Sequence, residues 1–220
     1  MSEAAILNRR DRRRDAILRV ASEVFCEEGY SAASMSTIAA RLGGSKGTLY
    51  NYFKSKEDLF AAHVQQQCNR FADETFSPAL VDDQPVKVVL RRVGKILLEH
   101  ILADWAVQNF RLVVAEARRA PELARIFYRA GPAVGLDRLT AYLEGAKRRG
   151  LIDAPDCRRA ALQFMALCRS DIHFKFVLNM TDMPTEGEIA ADVDAAVAMF
   201  MAAYGLPRDA VRPATPAAPR

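Results

Sequence analysis

The stretch from Ser34 to Phe53, SMSTIAARLGGSKGTLYNYF, constrains the fold more than any other, because only a pair of glycines separates two short helical patterns. Ser34 stands where its hydroxyl can accept from a first-turn amide. Ile38, Ala39 and Leu42 then recur at three- and four-residue spacing, so one face is apolar. Gly43 and Gly44 stop that helix where positive φ is easiest to place, and Ser45 is positioned to cap the next at once. The second helix, predicted over Lys46 to Phe53, offers Leu49 and Phe53 at i and i+4 for packing. Lys46, Gly47, Thr48, Tyr50, Asn51 and Tyr52 are left to point elsewhere. The pattern is a helix-turn-helix whose second helix carries side chains suited to a DNA groove.

The continuation IAARLGGSKGTLYNYFKSKEDLF resembles the DNA-binding signature of the TetR/AcrR family of bacterial transcription regulators, I-A-x-x-A-G-V-S-x-G-T-L-Y-x-Y-F-x-x-K-x-x-L. Two positions depart from it. Leu42 stands for the usual alanine and Gly44 for the usual valine, which is expected to loosen the contact between the two helices slightly. The resemblance implies that the second motif helix lies in the major groove, with Lys46, Gly47, Thr48, Tyr50, Asn51 and Tyr52 as contacts. Lys46 can reach a guanine edge or a phosphate, Gly47 lets the backbone approach, and Thr48 can meet a thymine methyl or a phosphate. Tyr50 and Tyr52 can hold phosphates through their hydroxyls, or else pack within the head. Ser36, Ser45 and Lys56 sit at helix starts, where free amides already favour an anion.

Net charge, at +4, is too modest to identify a nucleic-acid binder, so its distribution matters more. From Arg9 to Arg14 only Asp11 is not arginine, directly before the first amphipathic helix. That run reads as a phosphate-binding arm or as a solvated terminus. The four cysteines, Cys26, Cys68, Cys157 and Cys168, lie far apart without a zinc spacing, and read as buried thiols. His63, His100 and His173 supply no local chelate, so neither a metal nor another cofactor is expected. Without a signal-type segment or an apolar run of membrane-spanning length, the expectation is a cytoplasmic protein with no membrane partner, and the resemblance implies a bacterial source.

Periodicity predicts an all-α fold of about nine helices: a three-helix head and a larger helical body. Segment 1–8 is expected to be a flexible N-terminus, 9–72 the DNA-binding domain, 73–205 a ligand-binding and dimerisation domain, and 206–220 a disordered tail rich in proline and alanine. The first helix is predicted from about Arg9 to Glu28, with Ile17, Val20, Ala21, Val24 and Phe25 on one face. Ser55 and Asp58 form a capping-box-like pair opening the helix that links head to body. SPALVDDQP, residues 77–85, reads as a turn near the boundary. Pro85 and Pro121 suit first turns, Gly131 and Pro132 interrupt a helix, and a long apolar helix is expected from Pro155 to Asn179. Thr185 with Glu188 forms a second capping box, before a final helix ending at Gly205. The stretch RLVVAEARRAPELARIFYRAGPAVGLDRLTAYLEGAKRRGLID is similar to the C-terminal domain of the AefR-like TetR subgroup.

Trp105, Phe110, Phe127, Tyr128, Met165 and Phe176 are candidate cavity walls, although aromatic residues more often fill cores. Glu116, Arg169 and His173 lie in otherwise apolar helices, where an ionisable group needs a partner. A ligand, an internal ion pair or a solvated edge each meets that need. The two closing helices carry more apolar residues than a monomer's surface allows. Phe174, Leu178, Val193, Val197, Phe200 and Tyr204 are therefore the expected homodimer interface, a four-helix contact about a two-fold axis that the resemblance also implies. No Gly-framed serine, phosphate loop or paired-carboxylate signature occurs, so an enzyme is not expected. The reading is a ligand-responsive DNA-binding regulator, foremost a repressor released from a palindromic double-stranded operator by a small apolar or amphiphilic effector. The alternatives are an activator or ligand-independent regulator and, in another class, a helical enzyme or carrier with an internal pocket.

Overall fold

The computed structural model describes residues 3–75 and 84–206. Among the described residues the regular structure is helical, in ten segments: α1 (Glu3–Glu28), α2 (Met35–Arg41), α3 (Lys46–Tyr50), α4 (Lys56–Thr75), α5 (Val86–Leu102), α6 (Asp104–Glu116), α7 (Pro121–Ala130), α8 (Pro132–Arg148), α9 (Cys157–Val177) and α10 (Glu186–Tyr204). The all-α expectation is met, and a lone antiparallel bridge joins Ile152 to Gly205. Most of the turn at 77–85 and the tail from 207 onward lie outside the described residues.

Two cores organise the molecule. In the first, Ile17, Leu18, Ala21, Val24 and Phe25 of α1 meet Ile38 and Ala39 of α2, Leu49 of α3 and Leu59, Phe60 and Val64 of α4. Phe25, Tyr30 and Phe60 form a triangle of rings with centroids 5.3 to 5.9 Å apart. Val113 of α6 and Leu123 of α7 belong to the same core, so the small head is supported by body helices as well as by α4. In the second core α5 is central. Val89, Leu90, Val93, Leu97, Leu98 and Leu102 are buried against α8, α9 and α10, each such side chain contributing about 1.5 to 3 kcal/mol on burial.

Several boundaries differ from the sequence reading. The backbone is helical from Glu3, not from about Arg9, so the N-terminal segment expected to be flexible continues α1. The second motif helix ends at Tyr50 rather than Phe53, with Asn51 as its C-cap, and Phe53 N–H still donates to Leu49 C=O at 3.0 Å. Asp156, not Pro155, opens α9, its carboxylate accepting from Arg159 N–H at 2.9 Å. The predicted capping box of α10 is present in full, Thr185 Oγ1 accepting from Glu188 N–H while the Glu188 carboxylate accepts from Thr185 N–H.

The largest correction concerns α10. Val193, Val197 and Phe200, expected at a dimer interface, are at most 1% exposed within the single chain. Gly94 of α5 explains this, because a Cβ there would stand only 2.9 Å from Val193 Cγ1, so the two helices approach too closely for any side chain. The bulky stripe of α10 therefore serves the chain's own core. Its outward face is instead Ala191, Ala195, Ala198, Met199 and Ala202. Tyr204 is half-buried, its hydroxyl donating to Gln163 Oε1. Of the six expected interface residues, Phe174 and Leu178 are solvent-facing, 62% and 53% exposed.

Candidate DNA interface and effector cavity

The turn between α2 and α3 is set by local chemistry. Ser34 Oγ accepts from Thr37 N–H at 3.1 Å, and Ser45 Oγ from Thr48 N–H at 3.2 Å. Gly43 between them has φ of +63°. Gly44 carries the second departure from the family pattern, and its missing side chain has a use. A Cβ there would lie 3.2 Å from Arg13 Nη2, so the glycine admits a guanidinium of α1 against the turn. Arg14 sits over the Phe53 ring, 5.5 Å from its centroid. Part of the arginine run is thus folded onto the motif as helix, with Arg10 and Arg12 exposed beside it.

Ser36, Ser45, Lys46, Gly47, Tyr50 and Asn51 are all exposed, Tyr50 by 49%. Thr48 is half-buried, its hydroxyl 3.0 Å from that of Ser45, and Tyr52 is half-buried against the head core. Lys56 departs from the role expected of it. Its ammonium donates to the carbonyls of Tyr30, Ser31 and Ala33 at 2.9, 3.4 and 3.3 Å and lies over the Tyr30 ring. Three donors meet three acceptors, so Lys56 holds the loop between α1 and α2 and has no N–H left for a phosphate.

In the body a cavity of about 440 Å³ lies between α4, α5, α6, α7, α8 and α9. Its walls include Trp105, Phe110, Phe127, Tyr128, Met165, Arg169 and His173, seven of the nine expected residues. Tyr128 and Leu162, each about half exposed, stand at its mouth. Phe176 and Glu116 are the exceptions: Phe176 packs against the body core, and the Glu116 carboxylate accepts from Ser31 Oγ in the head. Glu116 lies at the head–body junction because α6 is long enough to reach from the cavity to the α1–α2 loop. Sequence reading did not name Val64 and Cys68 of α4, Leu97, His100 and Ile101 of α5, or the elbow Gly131–Pro132 as lining. Gly131 was noted only as a helix breaker. A Cβ there would approach Val64 Cγ1 to 3.1 Å, which marks the close passage of α4 past the elbow.

Burial makes the cavity's imidazoles neutral. His100, whose Nε2 lies 3.6 Å from Cys68 Sγ, is pushed down to about 4 by desolvation, and the same burial raises the Cys68 thiol to about 11. His173, edge-on to Phe110 at 5.8 Å, is likewise lowered to about 4 by desolvation and then by the charge of Arg169. No group of three metal-ligating side chains occurs among the described residues, and no described helix is long and apolar enough to cross a membrane.

Residues 17–63 match the family model described as bacterial regulatory proteins, tetR family, and residues 88–206 match that of the AefR-like transcriptional repressor, C-terminal domain. The second match alone spans more than half of the 220 residues. The chain belongs to the TetR family. It is a DNA-binding transcriptional regulator rather than an enzyme. Among curated relatives, the transcriptional activator FasR of Mycolicibacterium smegmatis is 51% identical over 57 residues, 26% of each chain. The repressor NicS of Pseudomonas putida is 27% identical over 165 residues, 72% of this chain and 74% of that protein. The match spans only about a quarter to a half of the length of the first few curated relatives. Among solved structures, the Flavonoid-responsive Regulator FrrA superposes with a TM-score of 0.75 at 34% identity, covering 90% of this chain and 99% of its own. A TetR-family regulator from Mesorhizobium loti gives 0.76 at 25%, covering 94% and 100%.

Proposed function

We propose that this TetR regulator is a homodimeric repressor that binds a palindromic operator through α3 and leaves it when a small apolar or amphiphilic molecule occupies the body cavity. The observation that carries the reading is that α4 and α6 each belong to both regions. Val64 of α4 serves the head core and the cavity wall together. On α6, Trp105, Ala106 and Phe110 line the cavity, Val113 enters the head core and Glu116 bonds Ser31. An occupant that shifts either helix therefore also shifts the frame that holds α3. In this reading 9–72 form the DNA-binding unit and 73–205 the sensing and dimerising unit.

Lys46, Gly47, Thr48, Tyr50 and Asn51 are the groove contacts, with Ser36, Ser45, Tyr52 and the exposed arginines of α1 on phosphates. Dimerisation uses Phe174 and Leu178 with the Ala191, Ala195, Met199 face of α10. The cavity volume lies within the range of about 300 to 1,000 Å³ usual for small-molecule sites. Because FrrA is a flavonoid-responsive regulator, planar aromatic compounds are the first effectors to try. The activator alternative leans on FasR, whose match covers 57 residues, whereas the repressor model covers the sensing body.

Fluorescence anisotropy of operator DNA, followed while flavonoids and apolar amphiphiles are added, tests the reading. An effector is expected to weaken binding about 5- to 150-fold and to change the emission of Trp105, the single tryptophan. Unchanged DNA affinity with every compound that alters Trp105 emission would contradict release by ligand.

A further inference from the structure

Of the residues described as lining the cavity, Arg169 alone carries a permanent charge. Its Nε is buried without a hydrogen-bond partner, and none of the ion pairs among the described residues includes it. The neighbours that feel it are the Tyr128 hydroxyl and His173, and neither is an anion at neutral pH. A guanidinium cannot shed its proton to escape such a site, so its partial desolvation favours the arrival of an anion. The backbone is unusual at the same point. Ser170 interrupts α9 with φ of +30°, where serine is strained, and its hydroxyl donates to Asp192 Oδ2 of α10 at 2.5 Å. A strained residue thus adjoins a half-buried guanidinium whose Nε has no partner.

Sharing the cavity with the guanidinium are Trp105, Phe110, Phe127 and Tyr128, aromatic walls that suit an aryl group edge-on or stacked. We infer that the effector of this cavity is an aryl-bearing carboxylate, whose two oxygens pair with the planar fork of Arg169 while its ring lies among the aromatic side chains. The bidentate match of guanidinium and carboxylate is the reason to favour this oxyanion. The inference rests on the proposed effector role of the cavity and adds the chemical class of the occupant.

Three probes of matched apolar body separate charge from shape: 4-phenylbutanoate, its methyl ester and 4-phenylbutan-1-ol, titrated calorimetrically into the full-length protein. The anion is expected to bind about 10- to 100-fold more tightly than either neutral probe, the scale of a charged hydrogen-bonded pair. Arg169→Met keeps the aliphatic stem and should abolish that preference, while Arg169→Lys retains part of it. Arg169→Gln serves as a second uncharged variant if the methionine form does not fold. Equal binding of all three probes, no binding of the anion, or a preference that survives both uncharged variants would overturn the inference. The neutral dye Nile red distinguishes the two readings. If it enters the cavity and releases operator DNA while the carboxylate has no advantage, the effector role stands and the carboxylate assignment falls.

Discussion

The helix-turn-helix and the two closing helices are both rich in apolar residues, yet the first could be read from sequence, whereas in the second pair α10 was read with its faces reversed. In the motif each structural decision is made within four residues: Ser34 and Ser45 cap, Gly43 turns, Leu49 and Phe53 pack. In α9 and α10 the apolar residues occupy most of the circumference, so periodicity does not say which face goes inward. That choice is made by Gly94, far away in α5, whose missing side chain draws Val193 and its row into the core. Local rules teach where helices start and stop. Allocation of a face between core and partner depends on a contact distant in sequence.

The contrast can be broken most forcefully at α10. Val197→Asp places a charge at a site that is fully buried in the monomer and should cost on the order of 4 kcal/mol, seen as collapse of the urea transition. Phe174→Glu, on an exposed site, should change stability by about 0.5 kcal/mol or less and yet dissociate the dimer in sedimentation. A folded, monomeric Val197→Asp protein would restore the original interface assignment.

The head offers a similar pair. Lys56→Met leaves three loop carbonyls without their donor and should lower stability by about 1 to 3 kcal/mol. Tyr50→Phe should leave the melting curve in place while weakening operator binding about tenfold, through loss of one hydroxyl contact to a charged group. If Lys56→Met keeps full stability and only reduces DNA affinity, its assignment to the loop is wrong.

Acid sharpens the comparison between regions. His63 of α4 is buried, with its Nε2 3.3 Å from Asn109 Nδ2, and desolvation pushes it down to about 4, as it does His100 and His173. The folded state therefore binds fewer protons than the unfolded state below about pH 6.5. Stability is whole above that value and falls as pH drops toward 4, by roughly 1 kcal/mol per unit for the best buried group. Replacing His63 by glutamine should flatten the pH dependence of urea unfolding; an unchanged slope would mean that this histidine is already charged in the fold. Smallest of all is Glu116→Ala. Stability should shift by less than about 1 kcal/mol, the scale of one exposed hydrogen bond, while effector-driven release from DNA shrinks by a few fold.

How much was legible follows the same division. Seven of the nine residues expected at the cavity do line it, because large aromatic or ionisable side chains on apolar helices stand out in a sequence. Glu116 stood out equally and lies elsewhere, since helical phase says which face a residue occupies but not what lies at the end of that helix. His100, Leu97 and Gly131 were not assigned to the wall because their role depends on the passage of α4 and α5 beside the α7–α8 elbow. Lys56 matched the family pattern at its position. Its three carbonyl partners come from a loop more than twenty residues earlier, which no local rule reveals.

Selection of binding sites from random duplex DNA by the purified full-length protein tests the central claim most directly. Two copies of α3 held by one symmetric interface should enrich an inverted repeat whose half-sites lie about 34 to 36 Å apart, one helical turn or a multiple of it. Tyr50→Phe should weaken recovery of that repeat, and Phe174→Glu should abolish it. Recovery of no common sequence, or of a single unrepeated site bound equally well by the Phe174→Glu protein, would contradict the account of a dimer reading DNA through α3.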